Sequence, residues 1–144
     1  MAKGNKKKKV KQGSNPSPSK KPKEIVVLKD GLERVDSHLM DWGGPFSWEK
    51  AVPEWNSIHR RINDMRGLSL TELIKGGSHN IPVGDLSKPA RDRLLEIELD
   101  DTDELFSLRL KGKERAFGIK DRSTLKLIWY DPDHEVCPSN KKGN

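Results

Sequence analysis

The chain has 144 residues, 32% hydrophobic and 35% charged, against roughly 45–50% apolar and about 25% charged for an average globular protein, so its core must be small. That length suits one domain of ordinary size, and no run approaches the roughly 18 apolar residues of a membrane span. The N-terminal lysines lead into no apolar signal segment, and a single cysteine, Cys137, excludes an internal disulfide and fits a reducing, cytosolic compartment.

The net charge of +6 is unevenly divided. Residues 1–23 hold nine lysines and no acid, +9, which leaves the remainder at −3. Basicity therefore belongs to the first segment, and a body wrapped in a broad cationic surface is excluded, though a local basic patch is not. Residues 1–23, poor in apolar groups and rich in Lys, Gly, Ser, Asn and Pro, predict a disordered arm. Lys6, Lys7, Lys8 and Lys9 make that arm either a sequence-blind attractor of phosphate through counterion release or a solubilising tail. Glu24–Leu28 (EIVVL) is a β-prone run closed by an Asp30-Gly31 turn.

A Trp-rich patch follows. Gly43-Gly44-Pro45 forces an irregular turn, and Ser47 is placed to cap a helix. Trp42, Trp48 and Trp55 cluster around it, either as a stacking or partner-binding surface or as a satellite core, which the burial tendency of large rings favours. Trp55, Ile58, Ile62 and Met65 recur at helical spacing, so a helix is expected over Glu54–Arg66, stopped by Gly67, with His59, Arg60, Arg61 and Arg66 off the stripe. Ser69-Leu70-Thr71-Glu72 is a capping-box pattern and predicts a short helix over Leu70–Lys75. Ser78–Asp85 reads as extended or turn-like. Ser87 caps the next predicted helix, with Pro89 in its first turn and Ala90, Leu94 and Ile97 as its buried stripe. The acidic loop Leu99–Glu104 lacks the glycine and distant glutamate of a calcium loop, and no metal is expected there.

Leu105–Pro138 alternates apolar and polar residues and breaks at Lys111-Gly112-Lys113 and Asp121-Arg122-Ser123, the pattern of a three-stranded antiparallel meander. One face is apolar enough to bury helices and the other is mixed, with Trp129 assigned to the face of Leu125 and Leu127. Asp131-Pro132 opens a turn, and a short last strand through His134, Val136 and Cys137 is expected. Lys111, Lys113 and Arg115 are candidates for holding phosphate; Tyr130 and His134 are nearest any chemistry, His134 as a proton carrier near neutral pH. Alternatively, Tyr130–His134 is simply a strand-ending turn. No P-loop, GxGxxG, HExxH, CxxC or Ser-His-Asp order occurs, and no cofactor is expected.

The stretch from Leu99 to Ser139 resembles a set of small uncharacterised bacterial proteins that share a DELFSLRL…GKER…DPxHxVCPS signature, with weaker likeness back to Met40. The resemblance implies a bacterial or phage source. More distantly, a helix followed by such a meander is similar to the RelE/YoeB/ParE-like toxins, which bind mRNA on ribosomes, or gyrase in the ParE branch, through a sheet with catalytic groups near its end. What this implies is RNase-type chemistry carried by Arg115 on the middle strand and by Tyr130 or His134, with RNA or the ribosome and an antitoxin-like protein as partners.

The sequence thus predicts an α+β fold: a small antiparallel β-meander with helices packed on one face, over residues 24–140, between the basic arm 1–23 and a disordered tail 141–144. Its expected function is that of a cytoplasmic nucleic-acid-associated protein, an RNase-type toxin relative, with no membrane partner. The rival is a non-enzymatic protein-interaction module using the Trp42/Trp48 patch or the meander edge.

Overall fold

The computed structural model describes residues 30–138. The lysine arm, the Glu24–Leu28 run and the C-terminal tail lie outside these residues. Among the described residues the fold is α+β, built on a five-stranded mixed sheet. Its strands are β1 (Arg34–Asp36), β2 (His79–Pro82), β3 (Glu104–Arg109), β4 (Arg115–Asp121) and β5 (Thr124–Asp131). They lie in the order β1-β5-β4-β3-β2. The expected meander is its centre, β3, β4 and β5 pairing antiparallel. β2 adds antiparallel to β3, and β1 adds parallel to β5.

Helix α1 (Trp55–Met65) runs where the spacing of its apolar residues put it, burying Ile58, Ile62 and Met65. A 3-10 helix, Trp48–Glu54, leads into it, and the Ser47 hydroxyl accepts the Glu49 N–H at 3.0 Å. Helix α2 (Leu70–Lys75) carries the full capping box: the Ser69 hydroxyl accepts from the Glu72 N–H, and the Glu72 carboxylate accepts from the Ser69 N–H. Helix α3 (Lys88–Glu96) is capped by Ser87 with Pro89 in its first turn, and the chain leaves it through Glu98 at φ 62°.

Both faces of the sheet are covered, where the sequence predicted helices on one. On the first face α1, α2 and the 3-10 helix bury Trp48, Ile58, Ile62 and Leu73 against Phe106, Leu108, Leu110, Leu125 and Leu127. On the second, Ala90 and Leu94 of α3 pack with Phe46, Leu86 and Val136 on Leu105, Phe117 and Trp129. A bulge in β5 contributes to this. Phe117 pairs with Trp129 and Gly118 with Leu127, so Ile128 is the extra residue of β5. Beyond it the alternation is inverted: Trp129 leaves the face of Leu125 and Leu127 and joins the second cluster, while Tyr130 takes its place in the first. The second face thereby gains Trp129 beside Leu105, Phe117 and Ile128. β5 approaches β4 so closely here that a Cβ on Gly118 would lie 2.3 Å from the Lys126 carbonyl oxygen.

Asp41 ties the loop before α1 to this frame. Its buried carboxylate receives Nε and Nη2 of Arg93 at 2.9 and 2.8 Å, Nε1 of Trp129 at 2.9 Å and the Gly43 N–H at 3.1 Å. Burial opposes ionisation of Asp41, but the hydrogen bonds from Arg93 and Trp129 outweigh it and hold the carboxyl below its usual range. Trp42 is the next residue along, so this anchor also fixes where its indole projects.

Candidate functional site

The β3–β4 hairpin gathers cations at one end of the sheet. Arg109 and Arg115 are direct cross-strand partners, and the turn between them carries Lys111, Gly112 at φ 57° and Lys113. Like charges placed opposite each other destabilise a strand pair, and among the described residues neither arginine forms an ion pair with a carboxylate. Arg115 donates through Nη1 to the Gly112 and Glu114 carbonyls. Burial, then the nearby Arg109 charge, push the Arg115 guanidinium below its ordinary pKa, with Asp131 opposing them. Arg61 of α1 reaches the same end, its Nε donating to the Leu110 carbonyl at 2.6 Å. Lys113 stands 4.0 Å from Asp133 across exposed surface, a pairing of little strength in water.

The residues selected from the sequence as catalytic do not converge. Arg115 shares the second face with Phe117, whereas Tyr130 pairs with Ala116 and lies in the first core. Tyr130 is buried against Trp48, ring centroids 5.6 Å apart. Burial, then the charge of Glu114, push its phenol up to about 12, so near neutral pH it is a protonated core ring. The expected last strand is absent. Instead the buried Asp131 carboxylate accepts the N–H groups of Glu135 and Val136 at 2.9 and 2.8 Å, and Val136 packs on the second face. This closed turn places His134 at φ 61°, half-buried. Of the three candidates, Arg115 and Tyr130 thus lie on opposite faces, and His134 sits on the turn beyond β5. Lys111 and Lys113 are exposed beside Arg115.

A second feature adjoins the hairpin. Between β1 and α1 an open cleft of about 1290 Å³ is lined by Val35, Met40, Trp42, Val52, Trp55 and Ile62, with Arg34, His59 and Arg66 among its polar groups. Trp42 and Trp55 are exposed by 51% and 39%, whereas Trp48, between them in sequence, is fully buried. The satellite-core reading therefore holds for Trp48 and not for its two neighbours. Trp55 leans edge-on against Trp48 at 6.1 Å, and His59, one turn along α1, lies 5.8 Å from it at a 37° tilt. The cleft runs on into a groove lined by Val52, Trp55, Ser57 and Lys111. That groove shares Ser57 and Lys111 with a hollow bounded by Arg61, Arg109 and Gly112.

Sequence reasoning missed this continuity. Arg34 and Val35 lie on a three-residue strand that no periodicity marks, and nothing in the primary structure separates the exposed tryptophans from the buried one. Arg61 was visible as a residue off the α1 stripe, but its reach to the hairpin depends on tertiary packing. No helix among the described residues is long and apolar enough to cross a membrane, and no group of three or more His, Cys, Asp or Glu among them is placed to hold a metal ion. In comparisons with known proteins, the chain matches no family model, no curated protein and no solved structure.

Proposed function

We propose that the protein associates with nucleic acid, holding backbone phosphate at the β3–β4 hairpin end. The observation that carries this is the in-register Arg109–Arg115 pair, without carboxylate partners among the described residues and joined by a turn bearing Lys111 and Lys113. Like charges on directly paired residues repel each other, and a phosphate held by both offsets that repulsion through charge-assisted hydrogen bonds. The lysines of the arm, Lys6–Lys9 among them, add a sequence-blind, salt-dependent attraction. The reading is one of binding. RNase-type cleavage has less support, because Arg115 and Tyr130 lie on opposite faces of the sheet.

The test is anisotropy of a labelled oligonucleotide bound by the full chain, repeated across salt concentrations. Replacing both Arg109 and Arg115 with alanine should weaken binding and reduce the slope of log K against log salt by about one, for the shared phosphate that is no longer neutralised. Lys111→Ala with Lys113→Ala, two exposed changes with little effect on folding, should act in the same direction. An unchanged slope in both double variants would remove the hairpin as the phosphate site.

A further inference from the structure

We infer that the ligand of this surface is a single-stranded nucleic acid, whose backbone lies on the hairpin end and whose bases stack in the Trp42–Trp55 cleft. The inference rests on the phosphate-binding reading and adds to it the form of the strand and the residues that select it.

Three observations carry it. The first is continuity: the cleft, the Val52–Ser57 groove and the hairpin hollow share lining residues in sequence, Trp55 linking the first two and Lys111 the last two. A polymer lying on this surface passes from Arg61, Arg109 and Lys111, past Glu114 and Glu54, to the aromatic rings. The second is the chemistry of the walls. Large apolar side chains are normally withdrawn from water, yet two indoles stay exposed here while Trp48 between them is buried. His59 extends Trp55 into a platform of two rings on one side of α1. Flat aromatic surfaces take any base, at about 1–3 kcal/mol per base stacked.

The third observation is charge. Arg34 and Arg66 stand on the cleft wall. Its carboxylate, Asp36, is engaged by His38, whose backbone N–H and ring nitrogen both reach Oδ1. Arg34 and Arg66 outnumber Asp36, so the formal charge of the cleft wall is positive, complementary to phosphate. The volume also favours a polymer over a small molecule: about 1290 Å³ exceeds the roughly 300–1,000 Å³ of a typical ligand pocket. A duplex keeps its bases stacked on one another and offers none to the indoles, so the same surface discriminates against it.

The experiment uses the full chain with labelled single-stranded DNA and RNA of about 12 nucleotides, inside the roughly 4–16 spanned by one small binding domain, and the matched duplexes. Single strands should bind about tenfold more tightly than duplexes and quench tryptophan emission. Trp42→Ala, at the more exposed position, should weaken single-strand binding about five- to tenfold while leaving the salt slope and duplex binding unchanged. A Trp42→Ala protein that binds single strands like the parent, or a parent that binds duplex as tightly as single strand, overturns the inference. If in that case the Arg109/Arg115 variant still loses its salt slope, phosphate binding at the hairpin stands alone. If the parent binds no oligonucleotide even at low salt, both readings fall together. Quenching by an acidic peptide but by no oligonucleotide would reassign the cleft to a protein partner and also overturns the inference.

Discussion

Trp42 and Trp48 flank the same Gly43-Gly44-Pro45 turn, and the structure puts them to opposite uses. Trp48 has no exposed surface, stacks on Tyr130 and donates its indole N–H to the Ile128 carbonyl at 3.0 Å. Trp42 is half in water on the wall of an open cleft. One region is a closed core in which the indole N–H has a partner; the other is an apolar wall that carries Arg34 and Arg66. A ring that is buried and hydrogen-bonded is explained by stability alone. A ring left exposed beside these arginines has no such explanation in the folded monomer, and this contrast directs attention to the cleft.

The contrast predicts very unequal costs for one chemical change. Trp48→Ala removes a fully buried ring from the first core and should destabilise the protein by about 3–5 kcal/mol. Trp42→Ala should fall within about 0.5 kcal/mol of the parent. Urea unfolding monitored by far-UV circular dichroism measures both, and equal losses would erase the distinction between the two regions.

Asp41 sits at the boundary between them, and its replacement has the next largest expected effect. Asp41→Asn removes the buried one of Arg93's two carboxylate partners, with Glu96 still 2.9 Å from Nη1, and should cost about 2 kcal/mol at neutral pH, within the range for hydrogen bonds to a charged group. The folded carboxyl titrates below its ordinary value. Its contribution is therefore complete above about pH 4, the unfolded value, and is lost as pH falls through the lower folded value. The gap between parent and variant should shrink in acid. A gap that persists undiminished at low pH would show that Asp41 acts through shape and not through charge.

Much of the frame was legible from the sequence because it is locally encoded. The Ser69–Glu72 capping box, the Ser87 cap with Pro89 and the period of β3 and β4 each need only a few neighbouring residues, and each formed where expected. What was not legible depends on distant partners. β1 is three residues long and exists because β5 offers it a parallel edge. β2, His79–Pro82, has its pattern broken by a proline and is held by β3. The bulge at Ile128 is a one-residue event that inverts every face after it, and so moved both Trp129 and Tyr130. The candidate site suffered most from this. Arg115, Tyr130 and His134 look like neighbours at the end of a meander, and the inverted alternation separates Tyr130 from Arg115. The pairing of Arg109 with Arg115 follows directly from the hairpin register; their lack of carboxylate partners does not, because it depends on which acids the fold brings near.

Tyr130 allows the smallest but cleanest test of the comparison between closed core and open surface. It is the chain's single tyrosine, so phenolate absorbance reports on it alone. Burial first, and the Glu114 charge second, raise its pKa to about 12, against roughly 10 for an unperturbed phenol. The sign follows: the folded state favours the neutral ring, so its contribution to stability is full below about pH 10 and declines as pH rises toward the folded value. A tyrosine recruited as a general base would be shifted the other way, toward the working pH. Titration of the native protein should therefore show an inflection near 12, and Glu114→Gln should lower it part of the way, since burial remains. An inflection at or below the unperturbed value would place the hydroxyl in a site able to ionise it, and would restore to Tyr130 the catalytic candidacy that its burial against Trp48 now removes.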